Sequence, residues 1–243
     1  MMLNLFRKSK ELKEKKCKFN SAVKFANSVL NEFNNSLMLG RIDTKDVQTH
    51  PLIDVVRLLG RRLQTQYLSY LLFTEESEEV KDITVDEIMF SISDPLTQND
   101  ETLYNLISKV DIKRNVHLKN DLVLPWPWKR ERLIRTIAYI GEGKKSGKWK
   151  QDFQNHFVQL WLPLGIAWVN GGNHSIAEGI VQGEGVIEVN EIYDISPLYK
   201  YVFCDGLYYR RIYDNSIISP VKNVEFAAIF EIGRIMIKNS ISF

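Results

Sequence analysis

Two Asn-His pairs, one of them next to a pair of glycines, are the residues of this chain whose types and spacing could do chemistry. Gly171-Gly172-Asn173-His174-Ser175 follows an apolar run and precedes a helical pattern, and Asn155-His156 lies upstream. Glycine lets a backbone approach a ligand closely, and the start of a helix offers unpaired N–H groups to an anion. The residues from Gly171 to Ser175 therefore predict a site for a phosphate or a carboxylate.

Each polar side chain of this set has a role that its type allows. His156 and His174 could donate hydrogen bonds to the ligand. His174 is the first candidate for a general acid or base and His156 is the second, because imidazole titrates near neutral pH. Asn155 and Asn173 would orient the ligand through their amide groups. Glu178 lies one turn further along and could hold a metal ion, which would suit a nucleotide bound with Mg²⁺. The residues leave open which ligand binds and whether a reaction follows.

A β-hairpin is the element that must bring the two Asn-His pairs together. Two apolar segments flank Pro163-Leu164-Gly165, a sequence typical of a tight turn. With that three-residue loop the register places Asn155 opposite Asn173, and with a loop one residue shorter it places His156 there. Either register predicts that both pairs lie at the open end of the hairpin.

The remaining pattern predicts an α+β protein. Apolar residues recur at the helical period through most of the first half, whereas the second half mixes short apolar runs with Gly and Pro turns. We expect a helical N-terminal half, a small mixed sheet, and a C-terminal helix that starts at Ser219-Pro220. The chain would divide into a helical region, 1–115, and an α+β region, 116–243, or form one continuous domain. The predicted helices cover 9–33, 50–73, 130–140 and 175–181, the predicted strands 122–124, 157–162, 166–169 and 186–189, and a further hairpin turns at Asp205-Gly206.

The order strand, turn, strand, Gly-x-His, helix resembles the corner of the ParB/sulfiredoxin fold, and Gly172-Asn173-His174-Ser175 occupies that corner. The predicted helix at 130–140 fits the order that precedes it, so the resemblance covers roughly residues 120–195. It implies a corner that binds the phosphates of a nucleotide or a nucleic acid. Ser175 stands where that family usually has arginine, and Asn173 stands where sulfiredoxins have their reactive cysteine. Sulfiredoxin chemistry is therefore not implied.

The whole chain also resembles an uncharacterised bacterial and phage family, a domain of unknown function with a Gly-Asn-His-Ser signature. Here the signature runs from Gly172 to Ser175. This resemblance implies no activity. It suggests genomes rich in mobile elements, and therefore a role in a phage or in bacterial defence.

The charge distribution indicates one possible contact surface. The net charge is +2, which by itself demands no polyanionic partner. The stretch 129–150, however, is rich in Lys and Arg and follows Pro125-Trp126-Pro127-Trp128. One interpretation is a nucleic-acid surface on which the indoles stack with bases, and the other is that both indoles cap the core.

Two alternatives to phosphate binding remain open. In the first, the chain is a non-enzymatic interaction module, in which the Asn-His corner is a hydrogen-bonded lock and the helical half docks a protein partner. In the second, His156, Asn173 and His174 belong to a metal-dependent nuclease of the HNH type. The three-residue turn fits that site poorly, because an HNH site needs a longer loop between its strands.

Several classes are excluded by what the sequence lacks. Cys17 and Cys204 provide neither a disulfide framework nor a Cys-x-x-Cys metal spacing. No stretch has the length and apolar character of a signal peptide or of a membrane span. We therefore expect a cytoplasmic protein without a membrane partner.

Overall fold

The computed structural model describes residues 2–43, 45, 47–74 and 84–243, and its N-terminal half contains two long helices. Helix α1 spans Met2–Met38 and helix α2 spans Pro51–Phe73. In α1 the buried side chains Phe19, Ala26 and Leu30 recur at helical spacing and form the apolar face. The helices predicted over 9–33 and 50–73 are confirmed, with α1 longer at both ends.

The order of elements confirms the α+β class. Short helices follow α2, then strands alternate with helices, and a C-terminal helix ends the chain. The residues group into two compact units, the first drawn from Met1–Leu59, Val85–Ile107 and Ile195–Phe243, and the second from Gly60–Thr84 and Ser108–Asp194. The division into folding domains at residues 115 and 116 stays a prediction. No helix of the described residues is both long and apolar enough to cross a membrane.

The first unit packs helices against a three-stranded antiparallel sheet. Its short helices are α3, Val85–Ile88, and α4, Leu103–Leu106, and a 3-10 helix spans Ser196–Lys200. The strands are numbered in chain order and begin with two short strands of the second unit: β1 is Ser108–Lys109 and β2 is Asn115–His117. In the first unit the sheet order is β10-β9-β8, and its strands are β8, Val202–Cys204, β9, Tyr208–Arg211, and β10, Ile217–Pro220.

The second unit is built on a mixed five-stranded sheet with the order β1-β7-β4-β5-β3. Strands β4 and β5 are antiparallel, whereas β3 pairs with β5 and β4 pairs with β7 in parallel. A separate ribbon pairs β2 with β6. Nearly every residue of β3, β4 and β5 is buried, as expected for strands covered on both faces. The strands are β3, Leu122–Leu124, β4, Val158–Leu162, β5, Ile166–Val169, β6, Val186–Glu188, and β7, Glu191–Asp194, and the helices are α5, Arg130–Tyr139, and α6, Asn173–Gln182.

The register of the β4–β5 hairpin differs from both predicted registers. Trp161 lies opposite Ile166, so residues 162–165 form the connection and the predicted loop is at least one residue too short. The N–H of Gly165 donates to the carbonyl of Trp161 over 2.9 Å, and Gly165 has a φ of +70°. The place of the turn was predicted correctly, whereas the position at which the strands separate was not.

The C-terminal helix α7, Val224–Lys238, starts four residues later than predicted. Ser219-Pro220 ends strand β10 instead of capping the helix. Asn223 is the N-cap, and its side chain accepts a hydrogen bond from the N–H of Phe226 over 2.7 Å. Pro220 is compatible with a strand end because it lacks an N–H, so the Ser-Pro pair did not discriminate between the two structures.

Candidate functional site

A cavity of about 400 Å³ opens at the start of helix α6. The helix begins at Asn173, two residues before its predicted start, so Asn173, His174 and Ser175 form its first turn behind the N-cap Gly172. All the predicted ligand-binding residues except His156 line this cavity. Its lining comprises Trp126, Trp128, Arg132, Arg135, Thr136, Asn155, Asn170, Gly171, Gly172, Asn173, His174 and Ser175.

The two glycines are required by packing within the protein. A Cβ on Gly172 would lie 2.2 Å from Cδ2 of His156, and a Cβ on Gly171 would lie 2.7 Å from the carbonyl oxygen of Asn155. Gly172 also has a φ of +77°, a conformation that side chains with a Cβ rarely adopt. The sequence suggested glycine here because it lets a ligand approach the backbone closely. The close approach of residues 155 and 156 is a second reason for glycine at these positions.

A turn, rather than strand pairing, brings Asn155 to the cavity and His156 next to it. The N–H groups of Asn155 and His156 both donate to the carbonyl of Asp152, over 3.1 and 2.8 Å. Gly171 is tied to the same segment, because its N–H donates to the carbonyl of Phe157 over 3.1 Å. The two Asn-His pairs therefore lie close together, as the hairpin predicted, although the register that suggested it was wrong.

Both ring nitrogens of His156 have hydrogen-bond partners within the protein. Its Nδ1 accepts the N–H of Asp152 over 2.9 Å, so the ring proton lies on Nε2 and is donated to Oγ of Ser175, 2.5 Å away. Oγ of Ser175 donates in turn to the carbonyl of Gly172 over 3.2 Å. In this tautomer His156 cannot accept the proton of Ser175. The pair therefore lacks the arrangement of a serine nucleophile and its base.

Trp149 holds this group in place. Its indole stacks on the ring of His156 with centroids 5.0 Å apart and an angle of 13° between the planes. Its Nε1–H donates to the carbonyl of Ser175 over 2.7 Å. Burial lowers the pKa of His156, and the nearby carboxylate of Asp152 opposes that effect. His156 is thus a buried, neutral side chain that positions the first turn of α6.

Asn173 and His174 are more than nine-tenths buried, and each has a polar atom left for a ligand. Oδ1 of Asn173 accepts the N–H of Trp126 over 2.8 Å, and Nε2 of His174 accepts the N–H of Lys129 over 3.0 Å. Nδ2 of Asn173 and Nδ1 of His174 have no hydrogen-bond partner among the described residues. Because Nε2 of His174 is an acceptor, its ring proton lies on Nδ1. Both side chains thus present donors to the cavity that they line.

His174 is neutral at physiological pH. Burial, and next the positive charge of Arg132, lower the pKa of His174 to about 4. A neutral imidazole costs less to bury than an imidazolium. The side chain is therefore suited to donating a hydrogen bond, whereas a general acid working near pH 7 needs a higher pKa.

Arg132 and Arg135 are the site residues that the motif analysis missed. They lie three residues apart on helix α5, so they share the face that lines the cavity. Neither guanidinium has an ion-pair or hydrogen-bond partner among the described residues. Arg132 lies over the ring of Trp128, 5.1 Å from its centroid. The i, i+3 spacing of two arginines within the basic stretch 129–150 was the available signal.

Trp126 and Trp128 both line the cavity, so neither simply caps the core. Trp126 is half-buried and Trp128 is 44% exposed. Trp128 also makes an edge contact with His174, with ring centroids 5.5 Å apart. An exposed indole beside unpaired guanidinium groups is an arrangement that can stack with an aromatic ligand.

Comparison with known proteins identifies a family for the chain. A model described as "Family of unknown function (DUF6710)" matches residues 4–243. The chain belongs to this family. No curated protein and no solved structure matches the chain. Membership of a family of unknown function was expected and is confirmed, whereas the likeness to the ParB/sulfiredoxin corner stays an expectation.

Glu178 of this DUF6710 member is fully buried and is already paired with a cation. Its Oε1 accepts from Nζ of Lys144 and from Nε2 of Gln182, each over 2.8 Å. Nζ of Lys144 also donates to the carbonyl of Ile137 over 2.6 Å, which ties the loop after α5 to α6. In the part of the chain that the structure describes, no group of three His, Cys, Asp or Glu side chains could hold a metal ion. The metal role of Glu178 therefore gains no support.

The helical half exposes several large apolar side chains. Phe25 of α1 and Leu58 of α2 are more than half exposed. Isolated apolar residues on a surface are common, and these identify no partner. Docking of a protein partner on this half stays a prediction.

Proposed function

We propose that this protein binds a phosphate of a nucleotide or nucleic acid in the cavity at the start of helix α6. The observation that carries the proposal is the set of unpaired donors in one cavity: Nδ2 of Asn173, Nδ1–H of His174, and the guanidinium groups of Arg132 and Arg135. Hydrogen bonds from charged donors to phosphate are among the stronger ones in proteins. The donors come from two helices that pack on each other, α5 and α6.

Arg132 and Arg135 supply the charge that the corner itself lacks. Ser175 stands where the ParB/sulfiredoxin corner usually has arginine, and the hydroxyl of Ser175 is bonded to Gly172. Arginine is well suited to phosphate because its planar fork can donate two parallel hydrogen bonds. The N-terminus of α6 adds to the attraction, since the N–H groups of Asn173, His174 and Ser175 have no partner among the described residues.

His174 and His156 have different roles in this proposal. His174 donates a hydrogen bond to the ligand as a neutral imidazole, in agreement with its lowered pKa. His156 acts indirectly, because it is bonded to Ser175 and packs against Gly172. These roles support binding, and they do not support the use of either histidine as a general acid at neutral pH.

The side of the cavity formed by Trp128 suits an aromatic base. Trp128 is partly exposed and carries Arg132 over its ring. Stacking on an indole contributes about 1–3 kcal/mol for each base. The cavity volume of about 400 Å³ falls within the range of small-molecule sites. Phosphate donors and an aromatic surface together favour a nucleotide over an inorganic anion.

Calorimetric titration of the full chain with ATP, CTP and GTP, with and without Mg²⁺, tests the proposal. We expect heat with at least one of them, and an affinity at least about tenfold lower in Arg132→Ala, because a charge-assisted hydrogen bond contributes about 1.5–3 kcal/mol. Arg114→Ala is the matched control, since Arg114 is exposed and does not line the cavity. For His174→Ala the matched control is His117→Ala, on an exposed strand position.

Two outcomes would contradict phosphate binding. The first is the absence of heat with every nucleotide together with no binding of DNA or RNA. The second is that Arg132→Ala and His174→Ala change the melting temperature while any ligand response stays as in the wild type. That second result would favour the interaction module, in which the corner is a structural lock.

A further inference from the structure

We infer that the ligand is a single-stranded nucleic acid that continues from this cavity into a second one beside it. The inference rests on the proposed function and names the class of ligand for the same site. A neighbouring cavity of about 290 Å³ is lined by Asn155 and Ser175, which also line the first. The two cavities therefore adjoin at these residues. We call them together the basic groove.

The basic groove carries cations at both ends. Arg132 and Arg135 line the first cavity, and Lys148 and Lys150 line the second. Lys150 is exposed, and it has neither an ion pair nor a hydrogen bond among the described residues. Lys148 is ion-paired with Glu142 over 3.0 Å, but both side chains are largely exposed, so a phosphate can replace that partner at small cost. Positive groups at two separated places suit a ligand with more than one phosphate along its length.

Negative charge is sparse along the same lining. Among the residues that line the two cavities, the acidic one is Asp152, in the second cavity. Its Oδ1 accepts the N–H of Gln154 over 3.0 Å. The first cavity is lined by no carboxylate in the part of the chain described. A nucleoside triphosphate usually binds with Mg²⁺ held by one or two carboxylates. The lining therefore favours a polynucleotide, whose phosphates can be neutralised by Arg and Lys alone.

Base stacking explains why the strand would be single. Trp126 and Trp128 line the end of the groove that carries the two arginines. Proteins that bind single strands combine a positively charged groove with aromatic side chains on which the bases stack. In a duplex the base faces are covered by their neighbours and cannot reach an indole. The groove thus has both components that single-strand binding needs.

Fluorescence anisotropy with a labelled twelve-nucleotide oligothymidylate tests the inference, with thymidine monophosphate measured alongside by calorimetry. We expect the oligonucleotide to bind more tightly than the monophosphate. The double variant Lys148→Ala/Lys150→Ala should weaken oligonucleotide binding about tenfold, because it removes two phosphate contacts. Monophosphate binding should stay within about twofold, since these lysines lie outside the first cavity. Arg132→Ala should weaken both.

The matched control is Lys113→Ala/Lys145→Ala. It removes the same charge and also contains one lysine that is paired with an exposed glutamate, Lys113 with Glu188. Neither lysine lines the basic groove, so oligonucleotide affinity should stay within about twofold of the wild type. An equal loss in the control would overturn the inference, since the attraction would then be general.

The remaining outcomes separate this inference from the proposed function. If the monophosphate binds but the oligonucleotide binds no more tightly and the lysine variant changes nothing, the inference fails and the proposed function stands. If neither binds, both fail. A twelve-base-pair duplex that binds as tightly as the single strand would also overturn the inference.

An oligouridylate probe assigns the strand to RNA if it binds more tightly than oligothymidylate, and to DNA if it binds more weakly. Both results support single-strand binding.

Discussion

Gly172 is constrained in two independent ways, and a matched pair of substitutions separates them. Gly172 and Gly143 both have a φ of +77°. A Cβ on Gly172 would also overlap His156, whereas a Cβ on Gly143 would meet nothing within 4 Å. Alanine at Gly143 should cost about 1 kcal/mol of unfolding free energy for the left-handed backbone. Alanine at Gly172 should cost about 2–4 kcal/mol, because overpacking adds to that strain.

Urea unfolding of the two variants measures the difference. Equal losses would mean that the contact with His156 yields without cost, and the corner would then be less rigid than its packing indicates. A larger loss for Gly172→Ala would confirm that residues 155 and 156 hold the first turn of α6.

His174 should make stability depend on pH between about 6.5 and 4. Its pKa is about 4 in the folded chain and about 6.5 when unfolded. Below pH 6.5 the unfolded chain therefore binds the proton first, so the stabilisation is complete above pH 6.5 and is lost as the pH falls towards 4. With allowance for partial solvation, we expect a loss of about 2 kcal/mol.

The comparison of wild type with His174→Gln isolates this contribution, because the other histidines titrate in both proteins. Glutamine can still accept the N–H of Lys129 but does not titrate. The unfolding free energy of the wild type minus that of the variant, measured from pH 7.5 to 4.5, should therefore fall by about 2 kcal/mol as the pH falls. Parallel curves would show that His174 is not the group responsible.

At the scale of elements, helix α5 must be held in place for its arginines to line the cavity. Leu133 is buried in a cluster with Leu71 of α2 and Ala177 of α6, and Leu68 packs against it. Ile134, the next residue of α5, is 58% exposed. Leu133→Ala should cost about 2–4 kcal/mol of unfolding free energy, whereas Ile134→Ala should cost less than about 0.5 kcal/mol.

Thermal or urea unfolding of these two variants provides the measurement, and nucleotide titration of both provides a second one. Leu133→Ala should also lower the affinity for the nucleotide, because α5 carries Arg132 and Arg135 on the face opposite Leu133. Equal stability of the two variants would show that α5 is not anchored through Leu133.

The sequence predicted these elements better than it predicted how they meet. Helical periodicity located α1, α2 and α5, because each buries one regular apolar face. The Pro-Leu-Gly turn located the β4–β5 hairpin but not its register, since local residues do not determine how many of them a turn contains. Ser219-Pro220 misplaced the start of α7, because Ser-Pro is compatible with a strand end as well as with a helix start. The arginines of α5 were missed because they join the site through packing of α5 on α6.

At the scale of the whole molecule, the α+β class follows from the hydrophobic pattern of the sequence. The proposed binding depends instead on where the positively charged side chains lie. The net charge is +2, so the molecule as a whole attracts a polyanion weakly. Within the second unit, by contrast, the four cations of the basic groove line two cavities that share Asn155 and Ser175. Binding should therefore be sensitive to a few positions and insensitive to most other lysines and arginines.

The salt dependence of binding measures how many of those cations contact phosphate. Each phosphate neutralised on a single strand contributes about −0.7 to the slope of log affinity against log salt concentration. Four phosphate contacts predict a slope of about −3 for oligothymidylate between 50 and 200 mM salt. These contacts would come from Arg132, Arg135, Lys148 and Lys150. Removing both arginines should reduce its magnitude to about 1.4, whereas Arg114→Ala should leave it unchanged. A slope that falls equally in the Arg114 variant would mean that general charge, and not the basic groove, holds the strand.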